Sequence, residues 1–258
     1  MKTKMIESKY GNLEVPDDKI YSNMVRYGGL QTPKQKIMLD QKVIHSTDIV
    51  LDIGAHVGTF SIPFALQCKP PKIYAVEATN ESYEVLLRNI KHNRLENVIA
   101  PIHAIVSDSN QTMAVKDPSR VKANESWIKQ YHPSKTGVKG FTLDEMFKDL
   151  DSIDFVKMDI EGSEIRALKG FRELLKKHSP VLYIECSDLA LKEQNYTMQD
   201  MEDEVRSHGY NIFVENHEKY GYREIKTLND SLTKTGHHGS HYDCFMFKDR
   251  DHARGRRF

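Results

Sequence analysis

From residue 49 onwards, short apolar runs alternate with stretches whose apolar positions recur at helical spacing. The runs Ile49–Ile53, Lys72–Glu77, Val98–Ile105, Phe155–Ile160, Val181–Cys186, Asn211–Glu215 and Tyr242–Lys248 predict strands. Between them the spacing predicts helices near Thr59–Gln67, Glu81–His92, Leu143–Leu150, Ser163–His178 and Met198–His208. Asn80, Thr142 and Thr197 stand where N-caps belong, and Thr142 with Glu145 reads as a capping box. Pro70-Pro71, Pro180 and Gly209 stop helices where the pattern fades. Strands alternating with helices predict an α/β fold with a parallel sheet covered on both faces. The last two strands have only the polar stretch 216–241 between them, so they are expected to close the sheet as an antiparallel pair joined by a long loop. Residues 1–33 are polar and Tyr-rich and lead into a helix near Lys34–His45, so residues 1–46 are expected to pack on the core.

Composition narrows the classes. The chain has 258 residues, enough for a sizeable core, and balances 37 basic against 37 acidic side chains. A zero net charge argues against a generic phosphate-backbone binder, so no nucleic-acid partner is expected. The one basic cluster, Arg254, Arg256 and Arg257, falls in a tail of residues 251–258. No run of about 18 apolar residues codes a membrane span, and the first residues are too polar for a signal peptide. Cys68, Cys186 and Cys244 are odd in number and far apart, which suits neither a disulfide framework nor a zinc site. The expectation is a reduced, cytoplasmic protein.

The strongest local signal is Val50-Leu51-Asp52-Ile53-Gly54-Ala55-His56-Val57-Gly58-Thr59, a strand that ends in an acid, turns through two glycines and enters a helix. Glycines permit the tight turn and the close approach of a ligand. The spacing Asp-x-Gly-x-x-x-Gly is not the Gly-x-Gly-x-x-Gly dinucleotide fingerprint, and Asp52 would repel a phosphate. An acid here suits a cationic ligand group such as the amine of a methionine moiety. At the end of the second strand, Glu77 is placed to accept hydrogen bonds from two ribose hydroxyls. S-adenosylmethionine fits an acid at both positions, with Gly54, Ala55, His56, Gly58 and Ala78 completing the expected contacts.

The stretch Val50–Ser61 resembles the first motif of class I S-adenosylmethionine-dependent methyltransferases. Thr142-Leu143-Asp144, the string from Asp154 to Glu164 (DFVKMDIEGSE), Leu168-Lys169-Gly170 and the strand Pro180–Glu185 resemble the signature of the FkbM family. The likeness runs from about residue 30 to 248. It implies a Rossmann-like, seven-stranded methyltransferase sheet of order 3-2-1-4-5-7-6 with the last strand antiparallel, spanning residues 47–250. It also implies O-methylation of a sugar, a polyketide or another small hydroxylated molecule. His56 stands where the family usually has Asn, which implies altered local hydrogen bonding.

In an open α/β sheet ligands bind beyond the carboxyl ends of the strands. Asp159, Glu161 and Glu164 follow the fourth strand and Glu185 closes the fifth. Lys157 shares a strand face with Asp159 and needs an acidic partner there. Methyl transfer to an alcohol needs a group to accept the hydroxyl proton, for which Asp159, Glu185 and Glu161 are the candidates, with Lys157 holding their geometry. Alternatively Asp159 and Glu185 hold Mg²⁺; the plainest alternative is a structural ion cluster. Asp159 is expected beside the cofactor as well.

His217, His237, His238 and His241 fall in or beside the last loop, and His241, next to a strand, is the candidate base among them. Tyr10, Tyr21, Tyr27, Trp127, Tyr131, Tyr220, Tyr222 and Tyr242 lean as a set towards a carbohydrate acceptor. The expected activity is therefore O-methylation of a sugar or glycan hydroxyl. Competing readings are another small hydroxylated acceptor, an RNA ribose, a silent cofactor-binding module, and a nicotinamide-dependent oxidoreductase, against which the missing third glycine and Asp52 count.

Overall fold

A computed structural model describes residues 1–115, 128–133, 138–216, 221–228 and 241–248. The chain divides into two compact units, Met1–His103 and a second from Ala104 onwards.

The first unit opens with a hairpin, β1 (Thr3–Ser8) and β2 (Gly11–Pro16), followed by α1 (Lys19–Arg26) and α2 (Pro33–Asp40). Then come β3 (Ile49–Ile53), α3 (Ser61–Cys68), β4 (Lys72–Glu77), α4 (Asn80–His92) and β5 (Ile99–His103). The order β3-β4-β5 is parallel throughout. Their inward residues Val50, Leu51, Ile53, Ile73, Ala75 and Ile99 are fully buried. On α4 the positions Val85, Leu86, Asn89 and Ile90 form the buried face, the spacing expected of a helix lying on a sheet.

The hairpin and α1 were not legible in the Tyr-rich lead-in. Only Leu13 and Val15 show the alternation of a strand, and both are buried completely. Asn89 fastens β2 to α4, donating to Glu14 O (2.8 Å) and accepting from Glu14 N (2.7 Å). Arg88 pairs with the Glu14 carboxylate at 2.8 Å, and this hydrogen-bonded guanidinium holds that carboxyl at about 2. The helix expected near Lys34–His45 is shorter, as Pro33–Asp40, and starts in a full capping box between Thr32 and Gln35.

The second unit holds β6 (Ile105–Val106), β7 (Thr112–Val115), β8 (Ile128–Pro133), β9 (Val138–Phe141), α5 (Leu143–Met146), β10 (Phe155–Met158), α6 (Glu164–Lys169) and α7 (Arg172–His178). It continues with β11 (Val181–Ser187), α8 (Asp188–Glu193), α9 (Met198–Ser207), β12 (Asn211–Asn216), β13 (Gly221–Ile225) and β14 (His241–Phe247). Here the order is β10-β11-β14-β12-β13, with β10 and β11 parallel and the other pairings antiparallel. The α/β class and the antiparallel closing strand stand as expected. β14 inserts between β11 and β12, so the fifth, seventh and sixth expected strands are neighbours in that order. β13 is an addition on the outer side of β12.

Several boundaries differ for physical reasons. The single helix expected over Ser163–His178 is two, broken at Gly170, where a Cβ would come within 2.2 Å of Ser107 O. The strand expected over Val98–Ile105 ends at His103, and Ile105-Val106 instead pairs with β9 in a separate sheet of order β6-β9-β7-β8. Thr142 caps α5 through Glu145 N, but Glu145 gives its carboxylate to Lys148 rather than closing the box. Thr79, not Asn80, is the N-cap of α4, and its hydroxyl turns back to Glu77. Among the described residues, no helix is long and apolar enough to cross a membrane.

Candidate functional site

In the first unit the turn after β3 is built from left-handed residues: Gly54 (φ 82°), His56 (φ 51°) and Gly58 (φ 90°). Histidine, like asparagine, tolerates this region better than most side chains. The amides of the turn are taken up locally. Gly54 N and Ala55 N both donate to Val76 O (2.9 Å each), Gly58 N donates to Ala55 O (2.8 Å), and His56 N donates to Glu77 Oε2 (2.8 Å).

Glu77 is only 7% exposed, yet its carboxylate is well supplied with donors. Thr79 gives Oε1 both its N–H (2.8 Å) and its hydroxyl (2.7 Å), beside the His56 N–H on Oε2. An ionised carboxylate has about four lone-pair directions, so Oε2 keeps acceptor capacity for a ligand hydroxyl. Asp52 is fully buried below the turn and accepts from Ser61 Oγ at 2.6 Å, at the start of α3 where a helix favours negative charge. Ala78 offers its carbonyl to the His103 ring (3.2 Å), which stacks on Tyr83 with centroids 4.8 Å apart. This chemistry fits a ribose-bearing cofactor: an acid with spare acceptor capacity, on a turn whose glycines carry no side chain.

In the second unit β10 ends at Met158, and the chain turns through Asp159, Ile160, Glu161 (φ 56°) and Gly162 (φ 94°) into α6. Gly162 has to be glycine, because a Cβ there would lie 2.2 Å from Ala190 O. Lys157, almost buried, pairs with Asp159 at 3.8 Å, the partnership its strand position called for. Glu164 is 1% exposed and fixes the turn by accepting from Ile160 N at 2.8 Å. Since Met158 pairs with Ile184, Asp159 follows at the level of Glu185, and Glu185 pairs in register with Asp243 of β14.

Three glutamates of this row bind their protons more tightly than free carboxylates do. Burial, then the charge of Asp159, lifts the Glu161 carboxyl to about 7 against the pull of Lys157. Burial lifts Glu164 to about 8 although Ile160 N favours its ionised form. Burial and then Asp159, Asp243, Glu161 and Glu164 together hold Glu185 well above the usual carboxylate range. Among the described residues, no group of three or more His, Cys, Asp or Glu is placed to hold a metal ion.

The structure thus gathers Asp52, Gly54, Ala55, His56, Gly58, Glu77 and Ala78 in one unit, and Lys157, Asp159, Glu161 and Glu185 in the other. His241 begins β14 opposite Ser187. His217, His237, His238, Trp127, Tyr220 and the tail 251–258 lie outside the described residues. Sequence reasoning missed Ser61, Thr79 and Asp243. Thr79 lies two residues past Glu77 and was readable as a carboxylate-binding hydroxyl; Asp243 meets Glu185 only through a strand register that no local pattern encodes.

Over 115 residues the chain is 33% identical to the tRNA(Phe) (4-demethylwyosine(37)-C(7)) aminocarboxypropyltransferase of Methanocaldococcus jannaschii, covering 45% of this chain and 42% of that protein. Over 131 residues it is 24% identical to the hexuronic acid methyltransferase AglP of Haloferax volcanii, covering 50% of this chain and 52% of that one. The chain therefore spans about half the length of these curated relatives. The crystal structure of methyltransferase FkbM from Methylobacillus flagellatus shares the fold, with a TM-score of 0.51 at 18% identity over 79% of this chain and 44% of that one. The family described as the methyltransferase FkbM domain matches residues 52–212, from the buried acid of the glycine turn into β12. More than half of the chain lies within that match, and the protein belongs to the FkbM methyltransferase family.

Proposed function

We propose that the protein transfers a methyl group from S-adenosylmethionine to a hydroxyl of a sugar or glycan. The observation that carries the cofactor half is Glu77, a buried carboxylate fixed by Thr79 and the glycine turn with acceptor capacity left on Oε2. In this reading Glu77 and Ala78 hold the ribose and adenine side, while Asp52, Gly54, Ala55, His56 and Gly58 hold the methionine side. Asp52 acts from below, through the hydrogen bond that Ser61 donates to it. When bound, S-adenosylmethionine supplies an electrophilic methyl group and leaves as S-adenosylhomocysteine.

The acids of the second unit serve the acceptor. Asp159 accepts the proton of the attacking hydroxyl, Glu185 and Glu161, which hold their own protons, bond to the acceptor, and Lys157 holds Asp159 in place. His241 is the reserve base. Metal binding by Asp159 and Glu185 is the competing version, decided by a chelator. Likeness to a hexuronic acid methyltransferase and the zero net charge of the chain support a carbohydrate hydroxyl.

A nucleic-acid acceptor is the second reading, favoured by the likeness to a tRNA-modifying enzyme. One experiment separates the two. The protein is incubated with S-adenosylmethionine and either hydroxylated sugars or tRNA, and products are weighed by mass spectrometry across a salt series. A single added methyl on a sugar, insensitive to moderate salt, is expected; methylated tRNA with a steep salt dependence overturns the carbohydrate reading.

A further inference from the structure

The glycine turn has already committed most of its amides. Gly54, Ala55, His56 and Gly58 all donate to acceptors of the protein itself, and the two acids at this site, Asp52 and Glu77, would repel a ligand's negative end. Of the turn's N–H groups those of Val57 and Thr59 remain, so an amino-acid ligand with a carboxylate gains from further donors beside Thr59. Gln31 supplies them. It precedes the capping box of α2, where its N–H donates to Gln35 Oε1 at 2.8 Å. The Gln35 amide, buried, reaches across to donate from Nε2 to Thr59 O at 3.0 Å. Thr59, buried directly after Gly58, returns the connection by donating its hydroxyl to Gln31 Oε1 at 2.5 Å.

This ring of three residues fixes the sense of the Gln31 amide. With Oε1 bonded to Thr59, the two N–H donors of Nε2 point the other way, and among the described residues they meet no acceptor. Gln31 is partly exposed, so those donors are reachable from solvent. We propose that Gln31 binds the α-carboxylate of the cofactor's methionine end, making the segment before β3 part of the cofactor site. The inference rests on the cofactor reading above and assigns it a residue that the glycine motif does not contain.

The test is calorimetric and needs no turnover. S-adenosylhomocysteine carries the amino-acid end, whereas 5′-methylthioadenosine has the same nucleoside without it. Gln31→Glu keeps an oxygen for the Thr59 hydroxyl but removes both donors and adds a like charge. It is expected to weaken S-adenosylhomocysteine by about tenfold or more, the range of a lost hydrogen bond to a charged group, while 5′-methylthioadenosine binds within about twofold of the native protein. Thr59→Val, which frees the amide to rotate, should show the same selectivity to a smaller degree. Equal losses for both ligands, or no loss for either, overturn the proposal. Native protein that binds 5′-methylthioadenosine and S-adenosylhomocysteine equally well overturns it too, while leaving the cofactor reading intact; binding of neither overturns both.

Discussion

Glu77 and Glu164 are both carboxylates beside turns that follow parallel strands, and both are nearly sealed from solvent. Their surroundings differ. Glu77 collects three hydrogen bonds from Thr79 and His56 N, and the neighbours of its carboxylate are donors. Glu164 accepts from Ile160 N but shares its pocket of charge with Asp159 and Glu161, and it holds its proton to about 8. A buried acid surrounded by donors orders a turn and presents acceptor capacity. Buried acids surrounded by one another hold their protons to higher pH than isolated ones. The count of donors against acids thus decides whether a buried carboxylate is fixed as an acceptor or holds its proton.

Breaking the acid turn has the largest expected effect. Gly162→Ala places a Cβ against Ala190 O at a backbone angle that only glycine takes comfortably. It should cost about 3 kcal/mol or more of stability, read as a lowered urea midpoint. Gly54→Ala strains a turn with φ 82° as well, so comparing the two midpoints shows how much of the first loss comes from the contact with Ala190.

Removing one charge comes next. Asp159→Asn keeps the shape beside Lys157 and should lower kcat by about 100-fold or more while S-adenosylhomocysteine affinity stays near native. In the native enzyme, activity lost to a chelator supports a metal and activity retained supports a base. Near-full turnover of Asp159→Asn would make the cluster structural and move attention to His241.

A smaller effect sharpens the contrast through pH. The folded state raises Glu164 from its ordinary 4.5 to about 8, so it binds the proton more tightly folded than unfolded. Its contribution to stability is complete below about pH 4.5 and is lost as pH rises through 8. Glu164→Gln, neutral throughout and still able to accept from Ile160 N, should flatten that decline and raise the melting temperature relative to native at pH 8 by roughly several degrees. Parallel melting curves from pH 5 to 8 would show instead that Glu164 is ionised in the fold. Glu161 and Glu185 shift in the same direction and leave a residual slope.

Much of this was readable in the chain because its causes are local. The turn from Asp52 to Gly58 follows from glycine positions, the strand cores from continuous apolar runs, and the Lys157–Asp159 pair from alternation along one strand. What escaped depends on contacts distant in sequence. The hairpin of residues 3–16 is stabilised through Asn89 and Arg88, which lie more than 70 residues away. The break at Gly170 answers to Ser107, and the acid row is completed by Asp243 through register. Gln31 went unnoticed because a glutamine in a polar lead-in has no periodic signal, and its partner Thr59 lies 28 positions on.

The central claim is that the donor-rich acid of the first unit holds the ribose of S-adenosylmethionine. Calorimetry of S-adenosylhomocysteine against native protein and Glu77→Ala, with NAD⁺ as the control ligand, tests it most directly. The expected result is one-to-one binding by the native chain, none with NAD⁺, and a loss of about 1.5–3 kcal/mol in the variant, as for hydrogen bonds to a charged group. Equal affinity in native and variant, or binding of NAD⁺ in place of S-adenosylhomocysteine, would contradict it.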